Sequence, residues 1–136
     1  MNIPEVTIAP EILEGLKHVS TPTATQHLIG QGFHNTYMIG IPPQALEDGQ
    51  VMVGRARTLR FLPLREDLVK IQYETVTDRP HRDAIEAIQT DEILVIDACG
   101  SLEAGVVGDM FTRRVKERGG SGIVIDGSVR DLSAIQ

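Results

Sequence analysis

An α/β fold with parallel neighbouring strands is predicted by two observations in the second half of the chain. DEILVIDA and GIVIDG are short runs with apolar residues on both faces, the pattern of strands buried on both sides. Between them DMFTRRVKER, closed by Gly119 and Gly120, reads as a helix. The resulting strand–loop–helix–strand order places the two strands side by side and parallel. With 136 residues the chain suits a single α/β domain over 1–136.

Taken in order, a short helix is expected over about 10–18, with Pro10 at its start and Leu13 and Leu16 along it. In STPTATQHLIGQG, Ser20 or Thr21 can cap a second helix, Pro22 suits its first turn, and Gly30 or Gly32 its stop. FHNTYMIGIPP predicts a brief strand that ends at the double proline. VMVGRARTLRFL, 51–62, predicts a long strand in which Gly54 marks a bulge or a close backbone approach. The stretch from Pro63 to Arg79 fits helix or edge strand equally. HRDAIEAIQ, 81–89, spaces Ala84, Ile85, Ala87 and Ile88 as a helix does. After DEILVIDA comes a loop, CGSLEAGVVG; after GIVIDG come a turn, GSVR, and the first turns of another helix, DLSAIQ. Because that last helix has barely begun at Gln136, the domain is expected to be truncated at its C-terminal end.

Composition narrows the function classes. Hydrophobic content of 41% and charged content of 24% are globular values, and 4% aromatics without tryptophan imply an aliphatic core. A net charge of −6 argues against a nucleic-acid surface. Arg55, Arg57 and Arg60 do not make one, since Arg60 falls on the opposite strand face. MNIPEVTIAPEIL has no basic n-region, and no segment approaches the ~20 apolar residues of a membrane span, so a cytoplasmic protein is expected. Cys99 lies in an apolar run and is expected to be a small buried hydrophobe. His18, His27, His34 and His81 show no ligand spacing and read as surface or satisfied polar residues.

The chemistry concentrates in GDMFTRRVKERGGSGIVIDGSVRD, 108–131. A helix of about ten residues runs ~15 Å, and a six-residue strand returns ~18–20 Å. Arg130 and Asp131 should therefore come back beside Asp109, at the carboxyl edge where open α/β sheets place ligands. The N–H groups of Met110 and Phe111 lie in the first helical turn, where donors lack partners and the dipole favours an anion. Arg130 adds a fork for a carboxylate, and Asp109 and Asp131 add hard oxygens for Mg²⁺ or Mn²⁺. The same residues fit a second reading, in which the aspartates are helix caps and Arg130 makes a surface ion pair. Asp97 and Asp126, at strand ends, either support the site or simply terminate strands.

This stretch resembles the signature of the family that includes 4-hydroxy-4-methyl-2-oxoglutarate aldolases and the regulator of ribonuclease activity A. Catalytic members carry an aspartate, twenty residues, then Arg-Asp, as Asp109, Arg130 and Asp131 do here. STPTATQHLIGQG and GRARTL are similar to the family's N-terminal half. The resemblance implies a layered β/β/α sandwich with a partly parallel central sheet, a swivelling-domain-like fold. It implies a divalent-metal-dependent, class II type aldolase, a carbon–carbon lyase that releases pyruvate from 2-oxo acids and also decarboxylates oxaloacetate. The metal, Mg²⁺, Mn²⁺ or another divalent ion, would be bound by Asp131 and, through water, by Asp109. Arg130 and the amides of Met110 and Phe111 would hold the pyruvyl group, with Asp109 and Arg130 as the catalytic residues. A homotrimer or hexamer is implied, with an acidic residue from the adjacent subunit's later sequence completing each site. Val107 stands where many relatives have a bulkier aromatic, which would change substrate fit. The alternative within the family is a non-catalytic regulator that binds a ribonuclease.

Overall fold

The computed structural model describes residues 7–67 and 79–135. Most of the stretch from Pro63 to Arg79, which the sequence left open, lies outside the described residues. The chain divides into two compact units. One comprises Met1–Gly40 and Leu46–Val53; the other comprises Ile41–Ala45 and Gly54–Gln136.

The first unit holds two helices, α1 (Pro10–Leu16) and α2 (Thr21–Gly30). Both form where expected. Ser20 caps α2, its hydroxyl oxygen accepting the Thr23 N–H at 3.3 Å, and a proline occupies the first turn. Neither helix contains a buried residue. The strand expected in FHNTYMIGIPP does not form: 33–43 is irregular, with Phe33, Tyr37 and Ile39 exposed. The Thr36 carbonyl accepts a side-chain hydroxyl, that of Thr25, rather than a ladder N–H. A strand needs a neighbour to satisfy its backbone, and this segment has none among the described residues.

The second unit is built on a three-stranded parallel sheet in the order β1 (Arg55–Arg60), β2 (Glu92–Asp97), β4 (Gly122–Ile125). Helices α3 (Pro80–Glu86) and α4 (Asp109–Glu117) and the short parallel pair β3 (Gly105–Val107) and β5 (Ser128–Val129) complete it. This is the mixed α/β architecture with parallel strands that the sequence predicts. Central β2 is buried along most of its length, as expected for a strand flanked on both sides. Ile85, Ile88, Leu94, Ile96, Val107 and Val115 form the core. Among the described residues this buried cluster is aliphatic, with Phe61 and Phe111 packed against it.

The differences lie at element ends. The strand expected over 51–62 contracts to β1, because its ladder reaches only as far as β2 does, from the pair Arg55 and Glu92 to the pair Arg60 and Asp97. Gly54 does mark a close approach: a Cβ there would lie 2.6 Å from the Asp91 carbonyl. The α3 helix stops at Glu86, yet Ile88 remains fully buried through a tight turn onto the Ile85 carbonyl. Helix α4 ends where Gly119 takes a φ of +86°, a conformation favouring glycine. Parts of CGSLEAGVVG and GSVR, expected as loop and turn, pair instead as β3 and β5. DLSAIQ begins a 3-10 turn, Leu132–Ala134, rather than an α-helix.

Cys99 is exposed rather than buried, because β2 ends at Asp97. Cys99 and Gly100 then turn through φ values of +55° and +65°. Among the described residues no helix is long and apolar enough to cross a membrane.

Candidate functional site

The β3–β5 pairing builds the candidate site. Arg130 N–H donates to the Val107 carbonyl at 2.9 Å, which fixes residues 130 and 131 beside the entry to α4. The Arg130 side chain then runs past Gly105 and Gly108. A Cβ placed on Gly108 would lie 2.9 Å from Asp131 Oδ2 and 3.0 Å from Arg130 Nε. Gly108 is the N-cap of α4, and Asp109 is its first helical residue. Arg130 and Asp131 thus lie at the N-terminus of α4, as the returning strand requires.

Arg130 and Asp131 are only loosely engaged. Arg130 Nε is 3.7 Å from Asp131 Oδ2, and the two side chains are 63% and 50% exposed. At that distance and exposure the pair contributes little to stability. Asp131 does not cap the turn that follows it, since its side chain makes no cap hydrogen bond. Its backbone sits at φ +59°, a conformation a non-glycine residue adopts when its surroundings impose it. The Gly108 cap likewise offers no side chain to the first turn of α4. Asp109 Oδ1 accepts the N–H of Met110 at 2.7 Å, while the Phe111 N–H donates to the Gly108 carbonyl at 3.2 Å. The cap reading therefore accounts for one oxygen of Asp109 and neither of Asp131.

This corner suits a carboxylate-bearing ligand and a hard cation. Asp109 and Asp131 supply carboxylate oxygens near solvent, a donor type that Mg²⁺ accepts while keeping several waters. Among the described residues there is no group of three or more His, Cys, Asp and Glu side chains that could hold a metal ion. Met110 is 68% exposed beside it, whereas the Phe111 side chain turns inward against the core.

The remaining candidates have structural duties. Asp126 accepts the N–H groups of Ala98 and Gly100, and Asp97 accepts that of Cys99 at 3.0 Å while pairing with Arg60 Nε at 2.9 Å. Both aspartates tie down the turn after β2. Val107 is 3% exposed and belongs to the core, so its size bears on packing rather than on substrate fit. His81 lies edge-on to Phe111, ring centroids 4.3 Å apart, and to Phe61 at 6.0 Å. Burial, and then the nearby Arg82 charge, hold its imidazole below the ordinary value. Sequence spacing had no means of placing His81 there, because its partners follow β1 and open α4.

The class is a parallel α/β unit in which Arg130 and Asp131 lie beside Gly108, the N-cap of the helix that Asp109 opens. Residues 22–136 match the RraA-like family, described as Aldolase/RraA, and the chain belongs to that family. Over 54 residues it is 32% identical to a protein of Stutzerimonas stutzeri (strain A1501) that bears the provisional name 4-hydroxy-4-methyl-2-oxoglutarate aldolase. That match covers 40% of this chain and 33% of the relative. Among solved structures, Streptomyces coelicolor RraAS2 superposes with a TM-score of 0.74 at 35% identity, covering 93% of this chain and 59% of its own. It is described as an unusual member of the RNase ES inhibitor RraA protein family. An uncharacterized protein of Pseudomonas syringae pv. tomato str. DC3000 shares the fold, with a TM-score of 0.76 at 23% identity, over 99% of this chain and 55% of its own. The chain thus spans between a third and three fifths of the length of these relatives.

Proposed function

We infer that this protein is a carbon–carbon lyase that cleaves a 4-hydroxy-4-methyl-2-oxoglutarate-like 2-oxo acid to release pyruvate, and that it also decarboxylates oxaloacetate. The observation that carries this reading is the convergence of Arg130 and Asp131 on the N-terminus of α4 beside Asp109. Arg130 binds the substrate carboxylate as a planar fork. The Met110 and Phe111 amides orient the 2-oxo acid, the Met110 N–H once the Asp109 carboxylate rotates off it and the Phe111 N–H by sharing its bond to the Gly108 carbonyl with the substrate. Asp131, with Asp109 through water, holds a divalent ion, Mg²⁺ or Mn²⁺. When bound, that ion supplies Lewis-acid stabilisation of the negative charge developing on the 2-oxo group. The active form in this reading is a homotrimer or hexamer in the cytoplasm.

The test is pyruvate release from 4-hydroxy-4-methyl-2-oxoglutarate and from oxaloacetate by the full-length protein, with Mg²⁺ and with chelator. Turnover that chelator abolishes and Mg²⁺ restores is expected. Absence of metal-dependent turnover of both substrates would sink the reading.

A second reading has its own support in the likeness to RraAS2, which extends over nearly the whole chain. It is a non-catalytic regulator that binds a ribonuclease. A pull-down with an RNase E-type enzyme, combined with unchanged binding by Asp131→Ala, would favour it over the lyase.

A further inference from the structure

We propose that Gly108, with Gly105 behind it, is a positioning residue for Arg130 and Asp131, so that the absence of a side chain at these two places sets the geometry of the candidate site. The proposal rests on the reading that Arg130 and Asp131 hold substrate and metal. A methyl group on Gly105 would lie 3.1, 3.2 and 3.3 Å from Cδ, Cβ and Cγ of Arg130, in contact with its aliphatic stem alone among its nearest atoms. A methyl on Gly108 would meet the business ends instead: Asp131 Oδ2 at 2.9 Å, Arg130 Nε at 3.0 Å and Arg130 Cγ at 3.2 Å. The two glycines therefore act on different atoms of the same pair.

Backbone conformation does not require glycine at 108. Its φ and ψ of −139° and −175° are extended and open to any residue. Alanine would fit the chain there without strain. What it would displace are side chains 63% and 50% exposed, free to swing into water. The fold should survive while the guanidinium and the carboxylate move. Gly120 shows the opposite situation: a Cβ there would meet Val115 Cγ1 at 2.6 Å and Ile88 Cγ2 at 2.9 Å, both in the core. There the glycine serves packing; at 105 and 108 it serves the pair.

The test compares Gly105→Ala and Gly108→Ala in the full-length protein. Both should keep Tm within ~2 °C of the parent. Gly105→Ala should raise KM for the 2-oxo acid about 10-fold and leave Mg²⁺ affinity, measured by calorimetry, as it was. Gly108→Ala should raise KM and weaken Mg²⁺ binding together, with kcat/KM down about 10²-fold, the scale of a misplacement near 1 Å. Parental KM and Mg²⁺ affinity in both variants would overturn the proposal. So would a loss of several degrees in Tm that parallels the loss of activity. If the parent itself neither turns over a 2-oxo acid nor binds Mg²⁺, the lyase reading fails, and the Arg130 Nε–H resonance decides the positioning role separately. That resonance should shift in Gly108→Ala, and an unmoved one would overturn it.

Discussion

Two arginine–carboxylate pairs, one in the three-stranded sheet and one that follows the β3–β5 pair, are used differently. In the sheet Arg57 and Glu92 form a two-pronged pair, Nε to Oε2 at 2.6 Å and Nη2 to Oε1 at 2.9 Å. Glu92 is only 6% exposed and also accepts the Gln89 N–H at 2.9 Å. After β5, Arg130 and Asp131 stand 3.7 Å apart, with side chains 63% and 50% exposed. The first pair is saturated and structural. The second has donors and oxygens to spare, which a ligand needs.

Exchanging activity for stability should expose this difference. The largest effect is expected in Asp131→Ala and Arg130→Ala, each losing at least ~10²-fold in kcat/KM for the 2-oxo acid while Tm moves by only a few degrees. Parental turnover in either variant would erase the distinction between the two pairs. Next comes Arg57→Met, which strands a buried carboxylate and should cost ~2–3 kcal/mol by urea denaturation, discounted for the partial exposure of Arg57. The specific activity of the folded fraction should not change.

The pH dependence follows from two groups. Hydrogen bonds from Arg57, above all, hold the Glu92 carboxyl below its ordinary value of 4.5. Its contribution is complete above that value and is lost as pH falls through the lower folded value. His81 acts earlier. Its imidazole is held below 6.5 by burial, so between that lowered value and 6.5 the unfolded chain binds more protons and stability rises with pH. His81→Phe should therefore reduce the loss of Tm on acidification below pH 6.5 by about 1–3 °C, as thermal melts at several pH values would show. A parental pH slope in His81→Phe would remove His81 from this account.

The smallest effect is expected at Arg114, which chelates Glu86 at 2.8 and 2.6 Å between α4 and α3. Its geometry rivals that of Arg57, but both partners are about half exposed. Arg114→Ala should shift the midpoint of denaturant titration less than Arg57→Met does. If the order reversed, burial would not be what separates structural from available pairs in this protein.

Legibility in the sequence tracked the range of the interactions. Ser20 and Pro22 announced α2, Gly119 announced the end of α4, and the apolar run after Asp91 announced β2, because caps and periodicity are local. The return of Arg130 and Asp131 to the N-terminus of α4 was also legible, since helix and strand lengths bring the chain back. FHNTYMIGIPP misled because an apolar run becomes a strand only beside a partner. Cys99 misled because the buried run stops two residues before it.

What the sequence by itself determined was the α/β order, the aliphatic core and the return of Arg130 and Asp131 to the start of α4. Tertiary structure alone decided what surrounds them. The β3–β5 pair joins segments about twenty residues apart and gives no local pattern, yet it aligns Arg130 along Gly105 and Gly108. It also decided which arginine–carboxylate pair is sealed and which is open, because burial depends on neighbours that a chain meets only after it has folded.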